Sequence, residues 1–326
     1  MEQRPGAVEG LGKLKISVLM LTCNREALVG RAIESVLNQT FEDFEYIIVD
    51  NGSTDKSGLI ADEYAKKDGR IRVIHRERGN IGSGRNAALK AAGGDYMGFI
   101  DDDDWCEGDF LEFLYDLAVE NGADVSICGA AGKAFEEKLV MTAEEALIEL
   151  MWRRRYNVAF PTKLFRADLA AKIRFPEQGL YDDIAVMPRL LALSRRVVYH
   201  GRPKYTFYRH EGNNSAWTVN HRLLTAETLD EYLESYRERT GWLSRLFPAS
   251  AAAWRYFEWS FMISMVEKIN RLGLKGCERQ LGHMLEELGA NRDEFISGGL
   301  ALDFEKEWLN TWVSARAPSL DRLKEY

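Results

Sequence analysis

The chain has 326 residues, of which 46% are hydrophobic and 29% charged, an ordinary composition for a globular protein with a substantial core. Its net charge of −8 disfavours nucleic acid as a partner, because the phosphate backbone attracts basic proteins. No apolar run reaches the roughly 18 residues that a membrane-spanning helix requires. The four cysteines are widely spaced and form no Cys-x-x-Cys pair, which favours free thiols in a cytoplasmic protein over disulfides or a zinc site.

Residues 1–13 are polar and lack the apolar core of a secretory signal, so we expect a loose tail there. After it, strand and helix patterns alternate as far as about residue 130. Apolar, β-branched runs predict strands at Lys15–Leu21, Tyr46–Asp50, Ile71–His75, Tyr96–Ile100 and Asp124–Cys128. Amphipathic runs predict helices at Glu26–Gln39, around Ile60–Ala65, at Ala87–Ala92 and at Asp109–Glu120. This order predicts an α/β fold with a mostly parallel, Rossmann-like sheet and helices on both faces.

The second half of the chain has a different pattern. Helices are predicted at Thr142–Met151, which begins with a capping box, and at Asp182–Leu193, where Pro188 is expected to kink the first turns. Val197–His200 and Tyr205–Tyr208 predict two short strands. From about residue 223 onward the pattern is helical only.

Polar clusters directly follow three of the predicted strands. They are Thr22-Cys23-Asn24, Asp50-Asn51 and Asp101-Asp102-Asp103-Asp104. Ligands of open α/β sheets bind at the carboxyl ends of the strands, so we expect the three clusters to converge on one edge.

The acidic run after the fourth strand predicts a cation site. Two carboxylates roughly 6 Å apart repel by about 3 kcal/mol at an effective dielectric of about 20, so converging aspartates call for a compensating cation. Carboxylate oxygens suit Mg²⁺ or Mn²⁺, which can neutralise a diphosphate leaving group. A solvated acidic loop is the alternative. The apolar strand before the run and Trp105 after it favour the binding site.

Three strings in this half of the chain resemble glycosyltransferase family 2, whose members have the GT-A fold. They are Ser17–Asp55 (SVLMLTCNREALVGRAIESVLNQTFEDFEYIIVDNGSTD), Asn80-x-Gly-x-x-Arg85-Asn86, and Gly94–Trp105 (GDYMGFIDDDDW). The close resemblance covers residues 17–129, and a looser one continues to about Ser215. It implies an inverting enzyme that moves a sugar from a nucleoside-diphosphate-sugar to a hydroxyl of a saccharide or lipid-linked saccharide, in polysaccharide or glycoconjugate synthesis.

The resemblance also implies which residues contact the nucleotide-sugar. They are Thr22, Asn24, Arg25, Asp50, Asn51, Arg85, Asp101 and Asp102. The pair that reads the base usually consists of two aspartates, and here its second residue is Asn51. Because an amide can accept through its oxygen and also donate, uracil and thymine remain open and a UDP-sugar is not specifically implied.

The resemblance also implies which residues take part in the transfer reaction. The resemblance implies that Asp103 holds the divalent cation, Mn²⁺ or Mg²⁺, and that Asp183 is the general base. Arg209 and His210 resemble part of a loop that closes over the diphosphate. Structural alternatives remain for several residues. Thr22 and Asn24 could cap the following helix, Asp183 could serve the helix dipole, and Arg85 could be an exposed helix residue.

The domain organisation follows from these patterns. We predict a catalytic α/β domain over residues 14–220, with a nucleotide-sugar-binding half at 14–130 and an acceptor half at 131–220. A helical region follows at 221–326. Its aromatic stretch, Trp254 to Phe261, fits a packed helical core; a helix resting on the inner face of the cell membrane and a contact between two copies are the alternatives.

Two other functions remain open. A nucleotide-sugar-binding protein without transferase activity would need no base at Asp183. A nucleotidyltransferase would carry a glycine-rich, basic loop after the first strand, which Thr22-Cys23-Asn24-Arg25 does not provide. The Gly82-x-Gly84 pattern lacks a third glycine and does not follow the first strand, so a nicotinamide cofactor is not supported.

Overall fold

The structure is a computed structural model that describes residues 14–132, 136–179, 181–210, 212–213 and 215–313. The chain divides into two compact units between Tyr208 and Arg209. The predicted tail at residues 1–13 and the last part of the predicted helical region lie outside the described residues. The domain boundary near residue 220 stays a prediction.

The first unit is built on a mixed sheet, which has nine strands in the part of the chain that the structure describes. They are β1 (Ile16–Thr22), β2 (Phe44–Asp50), β3 (Ile71–His75), β4 (Tyr96–Asp101), β5 (Trp105–Cys106), β6 (Val125–Ala130), β7 (Lys138–Met141), β8 (Lys163–Arg166) and β9 (Val197–Thr206). The order across the sheet is β3-β2-β1-β4-β8-β6-β9-β5, with β7 paired to β9. Strands β3, β2, β1 and β4 are parallel, and β8 is antiparallel to both of its neighbours.

The helices of the first unit alternate with these strands. They are α1 (Val29–Leu37), α2 (Ser57–Ala65), α3 (Ile81–Ala91), α4 (Phe110–Asn121), α5 (Ala143–Trp152), α6 (Ala167–Ala170) and α7 (Asp182–Ala192). The predicted α/β fold class is confirmed, as is the capping box of Thr142 and Glu145. One strand, β9, replaces the two predicted at its ends. The apolar pattern of β9 is interrupted at Pro203. The pairing of β9 with β6 shifts register around Gly129, and this irregularity lets β9 continue past the interruption as one strand.

The second unit is helical throughout its described residues. Its helices are α8 (Ala226–Leu246), α9 (Ala251–Leu272), α10 (Glu278–Ala290), α11 (Arg292–Ser297) and α12 (Asp303–Trp312), with 3₁₀ turns at Ala216–Thr218, His221–Leu223 and Pro248–Ser250. The aromatic stretch of α9 packs within this unit. The ring centroids of Trp259 and Phe295 are 6.1 Å apart, and those of Phe261 and Tyr236 are 4.4 Å apart. These rings form a helical core. No helix among the described residues is long and apolar enough to cross a bilayer.

Two glycines explain how α3 packs against its surroundings. A Cβ atom on Gly82 would lie 2.0 Å from the carbonyl oxygen of Pro176, and one on Gly84 would lie 2.2 Å from Cδ1 of Leu21. The side chain of Asn80 caps the helix by accepting from the Ser83 amide at 2.9 Å. The Gly-x-Gly pattern therefore serves close packing, and α3, which includes most of the predicted helical run at Ala87–Ala92, begins at Ile81.

Replacing Gly82 with alanine should lower the free energy of unfolding by about 1–3 kcal/mol, because the added methyl group meets backbone that cannot move aside easily. Chemical denaturation measures the change. Gly282→Ala in α10 is the matched control, since nothing lies within 4 Å of its added Cβ. That change should raise stability by up to about 1 kcal/mol through helix propensity. Equal effects of the two substitutions would contradict the close approach at Gly82.

Candidate active site

The three polar clusters lie at one edge of the sheet. Thr22 at the end of β1 is paired with Asp50 at the end of β2, and Leu21 is paired with Asp101 at the end of β4. Because these three strands are parallel and adjacent, their carboxyl ends place the clusters side by side. The predicted convergence is confirmed.

The acidic turn after β4 is anchored by its last aspartate. The hydroxyl of Tyr205 donates to one carboxyl oxygen of Asp104 at 2.8 Å, and the Tyr208 amide donates to the other at 2.7 Å. The same hydroxyl accepts from the Asp101 amide at 3.1 Å. Burial and the negative charge of Asp101 raise the pKa of Asp104 to about 8. Both oxygens of Asp104 are thus used to fix the turn to the end of β9.

The other three aspartates of the turn are crowded together. Asp102 and Asp103 are 9% and 8% exposed. Burial raises the pKa of Asp102 to about 7. The Thr22 hydroxyl opposes this increase, and the charge of Asp103 adds to it. Burial likewise raises the pKa of Asp101 to about 6, with Arg85 opposing and Asp103 adding. Arg25 is the cation nearest to Asp102, with 3.8 Å between its Nε and a carboxyl oxygen. Burial and mutual repulsion therefore disfavour the ionised forms of Asp101 and Asp102.

The loops after β1 and β2 are joined by Asn24. Its backbone has φ +55°, and its side-chain oxygen accepts from the Thr54 amide at 2.8 Å. The next amide, of Arg25, donates to the Ser57 hydroxyl at 2.7 Å. Helix α1 is preceded by Leu28 and has no side-chain cap. The alternative in which Thr22 and Asn24 cap that helix is therefore wrong.

Asp50 and Asn51 face different partners. The carboxylate of Asp50 accepts from the Ser53 amide at 3.0 Å and contacts Nδ1 of His75 at 3.0 Å. The Asn51 side-chain NH₂ group donates to the carbonyl oxygens of Gly79, at 2.8 Å, and Asn80, at 3.3 Å. The Asn51 side-chain oxygen is buried and accepts from nothing within the described residues. Because the side-chain nitrogen of Asn51 already donates to two carbonyl oxygens, its side-chain oxygen is the atom that can accept a hydrogen bond from a ligand.

Arg85 links the acidic turn to the start of α7. Its Nη1 donates to a carboxyl oxygen of Asp182 at 2.9 Å, and its Nη2 lies 3.8 Å from Asp101. Its side chain is only 11% exposed, so the alternative of an exposed helix residue is wrong. Three aromatic rings surround the guanidinium, each with its centroid 5.5 Å away: Phe99, Phe160 and Phe175. Burial opposes the charge of Arg85, but Asp182, Asp101 and Asp183 keep its pKa above the ordinary value.

The two aspartates at the start of α7 differ in their exposure to solvent. Asp182 is 5% exposed; burial raises its pKa to about 6 against the attraction of Arg85. Its second carboxyl oxygen is buried and has no partner in the described parts of the chain. Asp183 is partly exposed, and its charge acts on both Arg85 and Asp101. Asp183 is thus the member of the pair that a ligand can reach.

The sequence pattern does not single out Lys163, a fully buried lysine on β8 near this site. Its Nζ donates to the carbonyl oxygen of Ala159 at 2.6 Å and to the Thr162 hydroxyl at 3.3 Å. Burial lowers its pKa to about 7, although Cys128 and Asp183 oppose the shift. Thr162 itself has φ +79°, a strained conformation for a β-branched residue. In the sequence, the buried lysine is indicated only by its position inside the largely apolar run FPTKLF.

Arg209 and His210 begin the second unit. The guanidinium of Arg209 donates to the Ser215 hydroxyl at 3.2 Å, and the His210 amide donates to the side chain of Asn213 at 2.6 Å. Both contacts are local to this segment. The contact of Arg209 and His210 with a diphosphate stays a prediction.

At one edge of the sheet, the acidic turn after the fourth strand lies near the two aspartates that begin α7. This arrangement is that of a glycosyltransferase of GT-A type. The model of Glycosyl transferase family 2 matches residues 17–181. The chain belongs to this family.

Curated relatives agree with this assignment. The chain is 29% identical to the uncharacterized glycosyltransferase EpsJ of Bacillus subtilis, across 60% of this chain and 70% of EpsJ. It is 35% identical to the putative glycosyltransferase EpsH of the same organism, across 50% of this chain and 51% of EpsH. It is 34% identical to a poly(ribitol-phosphate) beta-glucosyltransferase of Bacillus spizizenii, across 50% of this chain and 27% of that relative.

Solved structures share the fold. TarS 1-349 of S. aureus, in complex with UDP-GlcNAc, matches with a TM-score of 0.68 and 21% identity over 92% of each chain. The mannosyltransferase PcManGT of Pyrobaculum calidifontis, in complex with GDP-Man and Mn²⁺, matches with a TM-score of 0.54 and 15% identity over 92% of this chain and 83% of its own. The GT-A fold predicted from the sequence is confirmed.

Proposed function

We propose that the chain is an inverting glycosyltransferase that binds a nucleoside-diphosphate-sugar at the carboxyl edge of β1, β2 and β4. The observation that carries this proposal is the bridge formed by Arg85 between Asp101 and Asp182. It brings the donor edge and the start of α7 into one site, so a donor and the carboxylate of Asp183 can meet the same acceptor hydroxyl. The complexes of TarS with UDP-GlcNAc and with UDP support a nucleotide-sugar donor.

The base of the donor is read by Asn51. Its orphaned side-chain oxygen needs an N–H donor. Uracil, thymine and guanine carry one on the ring, whereas cytosine and adenine carry one on the exocyclic amino group. Asp50 supports this loop through Ser53 and His75. We therefore expect a base that presents an N–H group to Asn51, and UDP-, dTDP- and GDP-sugars are the first donors to test.

A divalent cation fits the acidic turn. The donor set consists of hard carboxylate oxygens. Burial raises the pKa of both Asp101 and Asp102, and the neighbouring aspartates add to the increase, so a bound cation would favour their ionised forms. No group of three or more histidine, cysteine, aspartate or glutamate side chains converges as a metal site in the described ranges. Asp103 would therefore hold the ion as one of few protein ligands, with Asp101 and Asp102 beside the ribose. When bound, Mn²⁺ or Mg²⁺ neutralises charge on the departing diphosphate.

Asp183 takes the proton from the attacking hydroxyl. The hydroxyl oxygen attacks the anomeric carbon on the face opposite the diphosphate, which inverts the configuration there. Asp182 is less suited to this step because Arg85 already binds one of its oxygens. Arg85 acts mainly by holding Asp182 and Asp101 in place. The name of one relative, the poly(ribitol-phosphate) beta-glucosyltransferase, supports a hydroxyl on a polyol-phosphate chain as the acceptor.

The test is a screen of UDP-, dTDP-, GDP- and CDP-sugars for binding, hydrolysis and transfer with Mn²⁺, in the wild type and in Asp103→Asn. We expect turnover with at least one of the first three donors. Chelation of the cation or the Asp103→Asn change should lower turnover by about 10–100-fold or more, since metal ligands and their supports contribute at least that much. Anomeric analysis of the product should show inversion.

Three outcomes would overturn the proposal or its metal ligand. Binding of a donor without turnover over a broad acceptor panel would indicate a nucleotide-sugar-binding protein. Release of pyrophosphate from a nucleoside triphosphate would indicate a nucleotidyltransferase. Full activity of Asp103→Asn would show that the metal ligand lies elsewhere.

A further inference from the structure

A cluster of three side chains borders the acidic turn on the side of α1. The guanidinium carbon of Arg31 lies 4.2 Å from the ring centroid of Trp105 and 4.5 Å from that of Tyr208. The two ring centroids are 6.0 Å apart, so the rings lie on adjacent sides of the guanidinium and not on opposite ones. Cation–π attraction to both rings favours this position of Arg31.

The same arginine binds the backbone of the turn. Its Nη2 donates to the carbonyl oxygen of Asp103 at 2.6 Å. This contact comes from α1, whereas the carboxylate of Asp104 is held by the Tyr205 hydroxyl and the Tyr208 amide. The residue predicted to hold the cation is thus fixed at its carbonyl oxygen, and the side chain of the next residue is fixed as well.

Helix α1 provides a rigid base for this contact. Beyond Arg31, the Ser35 hydroxyl accepts from the Cys106 amide at 3.3 Å. The side chain of Gln39, just after α1, donates to the carbonyl oxygen of Glu107 at 2.7 Å and accepts from the Leu111 amide at 2.9 Å. The segment that follows the acidic turn is therefore bonded along the length of α1, and Arg31 extends this bonding to the turn itself.

We propose that Arg31 is a positioning residue that sets the backbone at Asp103, and hence the direction of its carboxylate, through its place against Trp105 and Tyr208. This inference rests on the proposed function of Asp103. If the turn were mobile, binding of a cation and nucleotide would have to order the carboxylate each time, at a cost in entropy. A carboxylate that is already ordered binds without this cost. Loss of such a supporting contact typically costs about 10–100-fold in metal affinity or activity.

The experiment measures the affinity of the full chain for Mn²⁺ with UDP, and separately with GDP, by electron paramagnetic resonance and calorimetry. Arg31→Met should weaken Mn²⁺ binding by about 10–100-fold and raise the KM for the donor sugar. Arg31→Lys should lie between Met and the wild type, because an ammonium can reach the carbonyl but cannot stack as a flat group.

Arg70 provides a matched control. Its guanidinium also stacks on an aromatic ring, 4.6 Å from Phe44, and also donates to a backbone carbonyl, that of Leu37 at 3.2 Å. It stands just before β3, at the opposite edge of the sheet. Arg70 also binds the carboxylate of Asp68 at 2.7 Å. Arg70→Met should therefore cost at least as much thermal stability as Arg31→Met and leave Mn²⁺ affinity and donor KM unchanged.

The outcomes separate this inference from the proposed function. Wild-type Mn²⁺ affinity in Arg31→Met, or an equal loss in Arg70→Met, would overturn the role of Arg31. If Asp103→Asn loses Mn²⁺ affinity while Arg31→Met keeps it, the role of Arg31 alone is wrong. If Asp103→Asn keeps wild-type affinity, the proposed metal ligand is wrong and the inference about Arg31 is overturned with it.

Discussion

Replacing Asp183 with asparagine should lower the rate of sugar transfer by about 10²–10⁴-fold, the usual contribution of a general base. Asparagine has nearly the same shape but cannot take a proton at neutral pH, so the acceptor hydroxyl would attack without assistance. Binding of Mn²⁺ with the nucleotide should be unchanged, because the proposed nucleotide site is at the ends of β1, β2 and β4. Steady-state kinetics with the donor found in the screen, together with calorimetry, measures both quantities.

Asp168→Asn is the matched control for that substitution. Asp168 also lies in the first turn of a helix, α6, and binds an arginine, Arg166, at 2.8 Å. It follows the end of β8, which runs antiparallel to β4 and therefore lies at the other edge of the sheet. Its substitution should not change transfer. A wild-type rate in Asp183→Asn, or an equal loss in both variants, would show that another group is the base.

The first half of the fold could be predicted because its strands are buried on both faces. Runs such as Ile16–Thr22 and Phe44–Asp50 are apolar at nearly every position, and only the helices between them are amphipathic. The short strands β5, β7 and β8 have two to four residues each, too few for a periodic pattern. Their position depends on partners distant in sequence, such as β9.

The location of the site could be predicted from topology alone, because the carboxyl ends of neighbouring parallel strands must meet. The partners of individual side chains could not. The sequence left open that Arg85 is an exposed helix residue, yet Phe160 and Phe175, far along the chain, enclose it. The support of Asp103 by Arg31 is equally hidden, since it joins residues 72 positions apart.

Lys163 should make the stability of the chain depend on pH. Its pKa is about 7 in the folded chain and 10.5 when unperturbed, so between these values the folded state binds fewer protons than the unfolded state. The cost of charging Lys163 inside the fold is fully present below pH 7 and is relieved as pH rises. Its contribution to the free energy of unfolding should therefore increase by about 1.4 kcal/mol per pH unit above pH 7.

The Lys163→Met variant isolates this contribution. The substitution removes the titrating group and leaves the Ala159 carbonyl without its donor, a loss that does not vary with pH. The difference in unfolding free energy between wild type and Lys163→Met should therefore grow in favour of the wild type from pH 7.5 to 9, at a slope of about 1.4 kcal/mol per pH unit. Other groups that titrate in this range, such as the buried thiols, are present in both chains and largely cancel. Lys172→Met, at an exposed lysine, should show no such slope. A flat difference for Lys163→Met would mean that the buried ammonium remains charged throughout, stabilised by Asp183 and the carbonyl oxygen more strongly than burial opposes it.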